Sequence, residues 1–93
     1  MNAQTAWPKG VLARYLTAGG ATVDLTYRLT VHNPPQPYAT LATCTGCVAT
    51  NEVSQYVSRW GVEEHAPEIA DAESRTWAQS HAETCRAMPK PTA

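Results

Sequence analysis

Between Ala21 and His32 the chain alternates, with Val23, Leu25, Tyr27, Leu29 and Val31 in one set and Thr22, Asp24, Thr26, Arg28 and Thr30 in the other. Successive side chains of a strand point to opposite faces, so this pattern predicts a β-strand with one apolar face. A shorter alternation runs from Val11 to Thr17, and Ala18-Gly19-Gly20 between the two supplies the permissive backbone of a hairpin turn. Asn33-Pro34-Pro35-Gln36-Pro37 lacks too many amide donors for a ladder and reads as a loop. Tyr38 to Thr43 then suits a third strand. It would deliver Cys44-Thr45-Gly46-Cys47 at the end of a sheet, with Gly46 allowing a tight turn.

Further along, the apolar spacing changes. Val53, Tyr56, Val57 and Trp60 recur at three and four residues, which predicts a short helix from Asn51, its N-cap, to Trp60, with Gly61 as terminator. A longer helix is predicted after it. Pro67 suits its first turn, Glu68 and Asp71 its positive end and Arg86 its negative end, and Pro89 stops it. At about 100° per residue, Ala70, Trp77, His81, Cys85 and Met88 share one face, and Glu68, Arg75, Gln79, Glu83 and Arg86 lie opposite. The expected fold is α+β: a three-stranded antiparallel sheet on a long C-terminal helix, with a short helix between.

Composition changes this picture in one respect. The chain has 93 residues, suited to a single domain over 1–93 with residues 1–9 and 89–93 frayed, and such a domain has little interior. Its apolar fraction is 43%, but much of that is alanine and there is no Phe, so a staple is expected to supplement the core. Three cysteines are awkward for disulfides, and no signal-like apolar segment opens the chain. Three thiols and one imidazole do fill a tetrahedral zinc site.

Cys44 and Cys47 form a Cys-x2-Cys pair, and His81 and Cys85 follow after a gap of 33 residues as His-x3-Cys. Residues four apart on a helix project the same way, so His81 and Cys85 can hold two adjacent corners of a tetrahedron. Cys44, Cys47, His81 and Cys85 are therefore the expected ligands of one structural Zn2+. Competing readings remain: a Cys44/Cys47 redox pair, or Cys85 and His81 as ordinary core residues. His65 and His32 are possible replacements for His81, but neither has a partner at ligand spacing.

The two ligand pairs resemble those of ββα-type zinc fingers with a terminal Cys, over roughly Tyr38 to Met88. In that family the gap is much shorter, and the base-reading positions have no counterparts here. The leading helix residues Glu68, Asp71 and Glu73 would repel phosphate.

Seven basic and eight acidic residues give no electrostatic reason for tight binding to a polyanion. A nucleic-acid role would have to use Arg14, Arg28 or Arg59 with Tyr or Trp stacking. Four filled coordination positions leave none for water, so no enzymatic activity is expected. The sequence thus favours a zinc-stabilised module that binds a protein partner, with nucleic-acid binding second and a thiol oxidoreductase third. With no stretch of roughly 20 apolar residues, it reads as a soluble, cytoplasmic protein. Abundant Ala, Thr and Arg suggest a GC-rich bacterial source. Trp7, Trp60 and Trp77 read as core or core-edge residues, Trp7 the most exposed.

Overall fold

A computed structural model describes residues 7–89. Most of the predicted frayed ends, residues 1–6 and 90–93, lies outside the described residues. The elements in chain order are β1 (Ala13–Leu16), β2 (Thr22–Leu29), β3 (Pro37–Cys44), β4 (Thr50–Ser54), β5 (Tyr56–Arg59), β6 (Val62–His65) and α1 (Pro67–Thr84). β1 to β4 form a four-stranded antiparallel meander in sequence order, and β5 and β6 form a separate two-stranded sheet.

Register explains where the core sits. Ala13, Leu25 and Ala42 lie side by side across β1, β2 and β3, as do Tyr15, Val23 and Cys44. The odd-numbered residues of β2 thus face α1 as the alternation predicts, but only Val23 and Leu25 are fully buried. Leu29 and Val31 are exposed beyond the helix. On the opposite face Arg14 holds Asp24 through two hydrogen bonds, at 2.7 and 2.9 Å.

α1 begins at Pro67, which fits the first turn because its missing N–H has no intrahelical partner to lose. Its buried residues are Ala70, Ser74, Ala78 and Ala82. This four-residue spacing of small side chains differs from the predicted Trp77–Met88 face. Small residues let the helix axis approach the sheet closely, while Trp77, His81 and Cys85 are half-buried at its flank and Met88 is exposed.

The expected three-stranded sheet with a short intervening helix is wrong. The stretch from Asn51 to Trp60 forms β4, the corner at Gln55, and β5. Its inward positions are Asn51, Val53, Gln55 and Val57, in period two, whereas Tyr56 and Trp60 point to solvent. Polar Asn51 and Gln55 on the inner face hid that alternation, and the outward aromatics supplied a false helical spacing. Gln55 is wholly buried: its side chain bonds Thr40 and His65, and its backbone bonds Tyr38 and Ala66.

Trp60-Gly61 is a two-residue hairpin loop with φ of 53° and 76°, the left-handed pair that matches strand twist in a type I′ turn. Gly61 therefore reverses a hairpin and ends no helix. Trp60 is fully exposed, more so than Trp7, contrary to its predicted place at the core edge.

Candidate metal centre

The first pair of candidate ligands sits in the connection between β3 and β4. Cys44 ends β3 and is buried, whereas Cys47 is exposed in the turn. The turn is closed by the N–H of Val48 donating to the Cys44 carbonyl (3.0 Å) and by that of Cys44 donating to Ala49 (2.8 Å). Val48 takes up the left-handed strain, with φ of 60°. Gly46 serves close approach: a Cβ there would lie 2.7 Å from the Ala87 carbonyl oxygen and 3.0 Å from the Ala21 Cβ.

The second pair comes from the end of α1. His81 lies in its last turn, and Cys85 is the first extended residue after it (ψ 117°), its N–H still bonded to the His81 carbonyl. Cys85 is thus a helix cap where a helical residue is expected, but the predicted projection one turn beyond His81 holds. The turn between β1 and β2 fixes this end from outside. Ala18 N–H donates to the Ala82 carbonyl (2.9 Å) and Gly19 N–H to that of Cys85 (3.0 Å). Both satisfy helix-end carbonyls that have no intrahelical donor.

The structure brings all four predicted residues together. One donor atom from each of Cys44, Cys47, His81 and Cys85 falls in a cluster no wider than 4.8 Å. Cys44 Sγ is 3.8 Å from Cys85 Sγ, and Cys47 Sγ is 3.3 Å from His81 Nε2. Thiolate and imidazole donors arranged tetrahedrally around one ion would be separated by about 3.8 Å (S to S) and about 3.6 Å (S to N). The cluster therefore has the dimensions and donor set to hold a metal ion, and no disulfide joins its thiols.

Local electrostatics favour a thiolate at the buried position. Burial pushes the Cys44 thiol up, but N–H groups of Cys47 and Gly46, with His81 and Cys47 side chains, outweigh it and lower its pKa from 9.0 to about 7. Cys85 is displaced the other way. The Ala87 N–H pulls it down, but burial and the neighbouring Cys47 and Cys44 sulfurs raise it further. Two adjacent thiols cannot both ionise easily, and a bound cation would remove that conflict.

His65 and His32 lie outside the cluster. His65 Nε2 is 2.9 Å from Gln55 Oε1 and its ring packs against Tyr56, while His32 is exposed in the loop after β2. Two supports escaped the sequence reading. The Trp77 indole stacks on His81 with centroids 4.8 Å apart and planes 10° from parallel, bracing the imidazole. Their i, i+4 spacing was the available signal. Gly19 packs directly under the backbone of Arg86 and Ala87. Nothing in sequence separates that role from an ordinary turn glycine.

Between the two ligand pairs the chain runs through β4, the hairpin β5–β6 and most of α1. Among the described residues no helix is long and apolar enough to cross a membrane. Comparison with known proteins found no matching family model, no matching curated protein and no matching solved structure.

Proposed function

We infer that the chain is a zinc-stabilised binding module, with Cys44, Cys47, His81 and Cys85 holding one structural Zn2+, and that it works by engaging a protein partner. The observation that carries this reading is the four-donor cluster, whose separations suit tetrahedral coordination. Three thiolates and an imidazole favour zinc over the harder magnesium or calcium, which take oxygen ligands. They also fill a four-coordinate ion, leaving no position for water and hence no metal-centred catalysis.

Two observations favour this reading over the competing ones. Arg14 is held by Asp24, Arg28 lies 3.4 Å from Glu52, and Arg59 lies 3.6 Å from Glu64, so each arginine a nucleic-acid surface would use faces a carboxylate. The Cys-x2-Cys pair joins two antiparallel strands and opens no helix, and its sulfurs lie beside His81 and Cys85 at ligand separations, not as an isolated pair. Apolar exposure on the projecting hairpin, at Trp60 and Val62, supports protein association.

Elemental analysis of protein purified without added metal, with a thiol count on the same sample, tests the zinc reading. One zinc per chain, with thiols that react only after chelation, is the expected result. Metal-free protein with a Cys44–Cys47 disulfide would overturn it.

A further inference from the structure

The three cysteines of the chain allow three disulfides, Cys44–Cys47, Cys44–Cys85 and Cys47–Cys85, and the fold does not place them equally. Cys44 Sγ and Cys85 Sγ are 3.8 Å apart, so a disulfide of about 2.05 Å asks for less than about 2 Å of relative sulfur movement. Cys47 is engaged elsewhere, with its Sγ 3.3 Å from His81 Nε2. Cys44 ends β3 and Cys85 follows α1, so a bond between them ties the sheet to the helix end. A Cys44–Cys47 bond would stay inside the β3–β4 turn and tie nothing to α1.

Main-chain bonds hold both residues in place without help from their side chains. Cys44 N–H donates to Ala49 (2.8 Å), Cys85 N–H donates to His81 (2.8 Å), and the Cys85 carbonyl accepts from Gly19 (3.0 Å). The fold thus brings together a pair 41 positions apart in sequence. An unfolded chain has the opposite preference, because closing a long loop costs more entropy than closing a short one, and it favours Cys44–Cys47. By the same balance a long-range native disulfide stabilises the fold more than a short-range one.

We propose that the site exchanges its metal for a disulfide: in a chain whose ion has left, a hydroperoxide joins Cys44 to Cys85, and the new bond takes over the link from β3 to α1. Half-exposed Cys85 is the reachable member of the pair, Cys44 being buried. The Cys85 thiolate attacks a peroxide oxygen, the O–O bond breaks, the departing alkoxide takes up a proton to become an alcohol, and Cys85 becomes a sulfenic acid. The Cys44 thiolate then attacks the Cys85 sulfur, the S–S bond forms, and hydroxide leaves and takes up a proton to become water. The two sulfurs give up two electrons, which the peroxide accepts. Oxidation that begins at exposed Cys47 reaches the same end. A Cys44–Cys47 bond is opened by attack of Cys85 on the Cys44 sulfur, which releases the Cys47 thiolate, all within a cluster no wider than 4.8 Å. Only Cys47 and His81 then remain of the four donors, so an ion does not rebind. The inference rests on the zinc reading and adds a redox control of that site.

The test uses the full chain, with zinc content and fold of the reduced sample measured first so that failure of the metal reading is seen separately. One portion is then treated with excess hydrogen peroxide under native conditions, and another with the same peroxide in denaturant and chelator. Trypsin leaves Cys44 and Cys47 together in 29–59 and Cys85 in 76–86, so fragmentation mass spectrometry of the digest separates the three pairings. The native portion is expected to carry mainly Cys44–Cys85, with one zinc released per disulfide, and the denatured portion mainly Cys44–Cys47. Cys47→Ser, in which only Cys44–Cys85 can form within the chain, tests the consequence for the fold. In chelator its oxidised form should melt about 10 °C or more above its reduced form. Mainly Cys44–Cys47, Cys47–Cys85 or sulfinic acid in the native portion, identical pairing in both portions, or an oxidised Cys47→Ser that melts no higher than the reduced one would overturn the proposal.

Discussion

Replacing Cys85 by Ala separates the metal's contribution from packing. The Cys85 backbone accepts from Gly19 and donates to His81, and Ala preserves both bonds. Its side chain is half-exposed, so the packing lost in metal-free protein should cost under about 1 kcal/mol. With zinc bound, one ligand of four disappears. A structural site of this kind contributes roughly 10–16 kcal/mol, so an even share is about 3–4 kcal/mol, or two to three decades of zinc affinity. A domain of this size shifts its melting temperature by about 4–8 °C per kcal/mol, which predicts a drop of roughly 12–30 °C at saturating zinc. The assay is a cycle of four melts, parent and variant, each with zinc and with chelator, followed by circular dichroism and calorimetry. If stripping metal leaves the parent's melt unchanged, or if Cys85→Ala costs as much with chelator as with zinc, the four residues do not act as ligands.

Other substitutions test neighbouring steps. Gly46→Ala forces a Cβ against the Ala87 carbonyl, so it should lower both melting temperature and zinc affinity, the latter by at least tenfold in a chelator competition. Trp60→Asn places Asn-Gly in the type I′ turn, where Asn tolerates positive φ better than Trp; a gain of about 0.5–1 kcal/mol in denaturant melts is expected, and a loss would show that the exposed indole packs on something. Ser74 Oγ is buried without a hydrogen-bond partner among the described residues, so Ser74→Ala should stabilise by about 1 kcal/mol, read from the same melts.

The Asp24–Arg14 pair gives a pH dependence. Burial raises the Asp24 carboxyl, but hydrogen bonds from Arg14 and Thr22 and the guanidinium charge outweigh it and hold the carboxyl below the usual range. A depressed folded value means the stabilisation is complete above the unfolded pKa of about 3.9 and is lost as pH falls through the lower folded value. The stability gap between parent and Asp24→Asn should therefore stay level from neutral pH to about 5 and close at lower pH; a gap that widens on acidification would refute the pairing.

The grouping of the four candidate ligands was more legible than the fold. Its signal is covalent spacing: two residues between cysteines make a turn, and three between His81 and Cys85 make one helical turn, whatever lies between the pairs. β2, β3 and α1 were legible because their inward positions are apolar or small and their ends carry proline or glycine. β4 and β5 were not. Their inward side includes Asn51 and Gln55, whose burial depends on partners at Thr40 and His65 that no local window contains. Trp60 misled for the complementary reason, as a large aromatic placed outward on a tight turn.

Gln55 also belongs to one of two anchors at the ends of the helix. The buried face of α1 is Ala and Ser, which remove little apolar surface from water per residue. Burial along its length is therefore a weak restraint, and the ends must be held by other means. At the N-terminal end Asp71 accepts from Tyr27 (3.0 Å) and Thr40 (2.8 Å), and Thr40 accepts from Gln55, which also meets His65. This network ties β2, β3, the corner and the hairpin to the helix's second turn. At the C-terminal end the side-chain connections to the sheet run through Cys44, Cys47, His81 and Cys85, with Trp77 braced behind the imidazole. A metal there would close the second anchor, so that the helix would be held at both ends while its alanine face rests on the sheet between them.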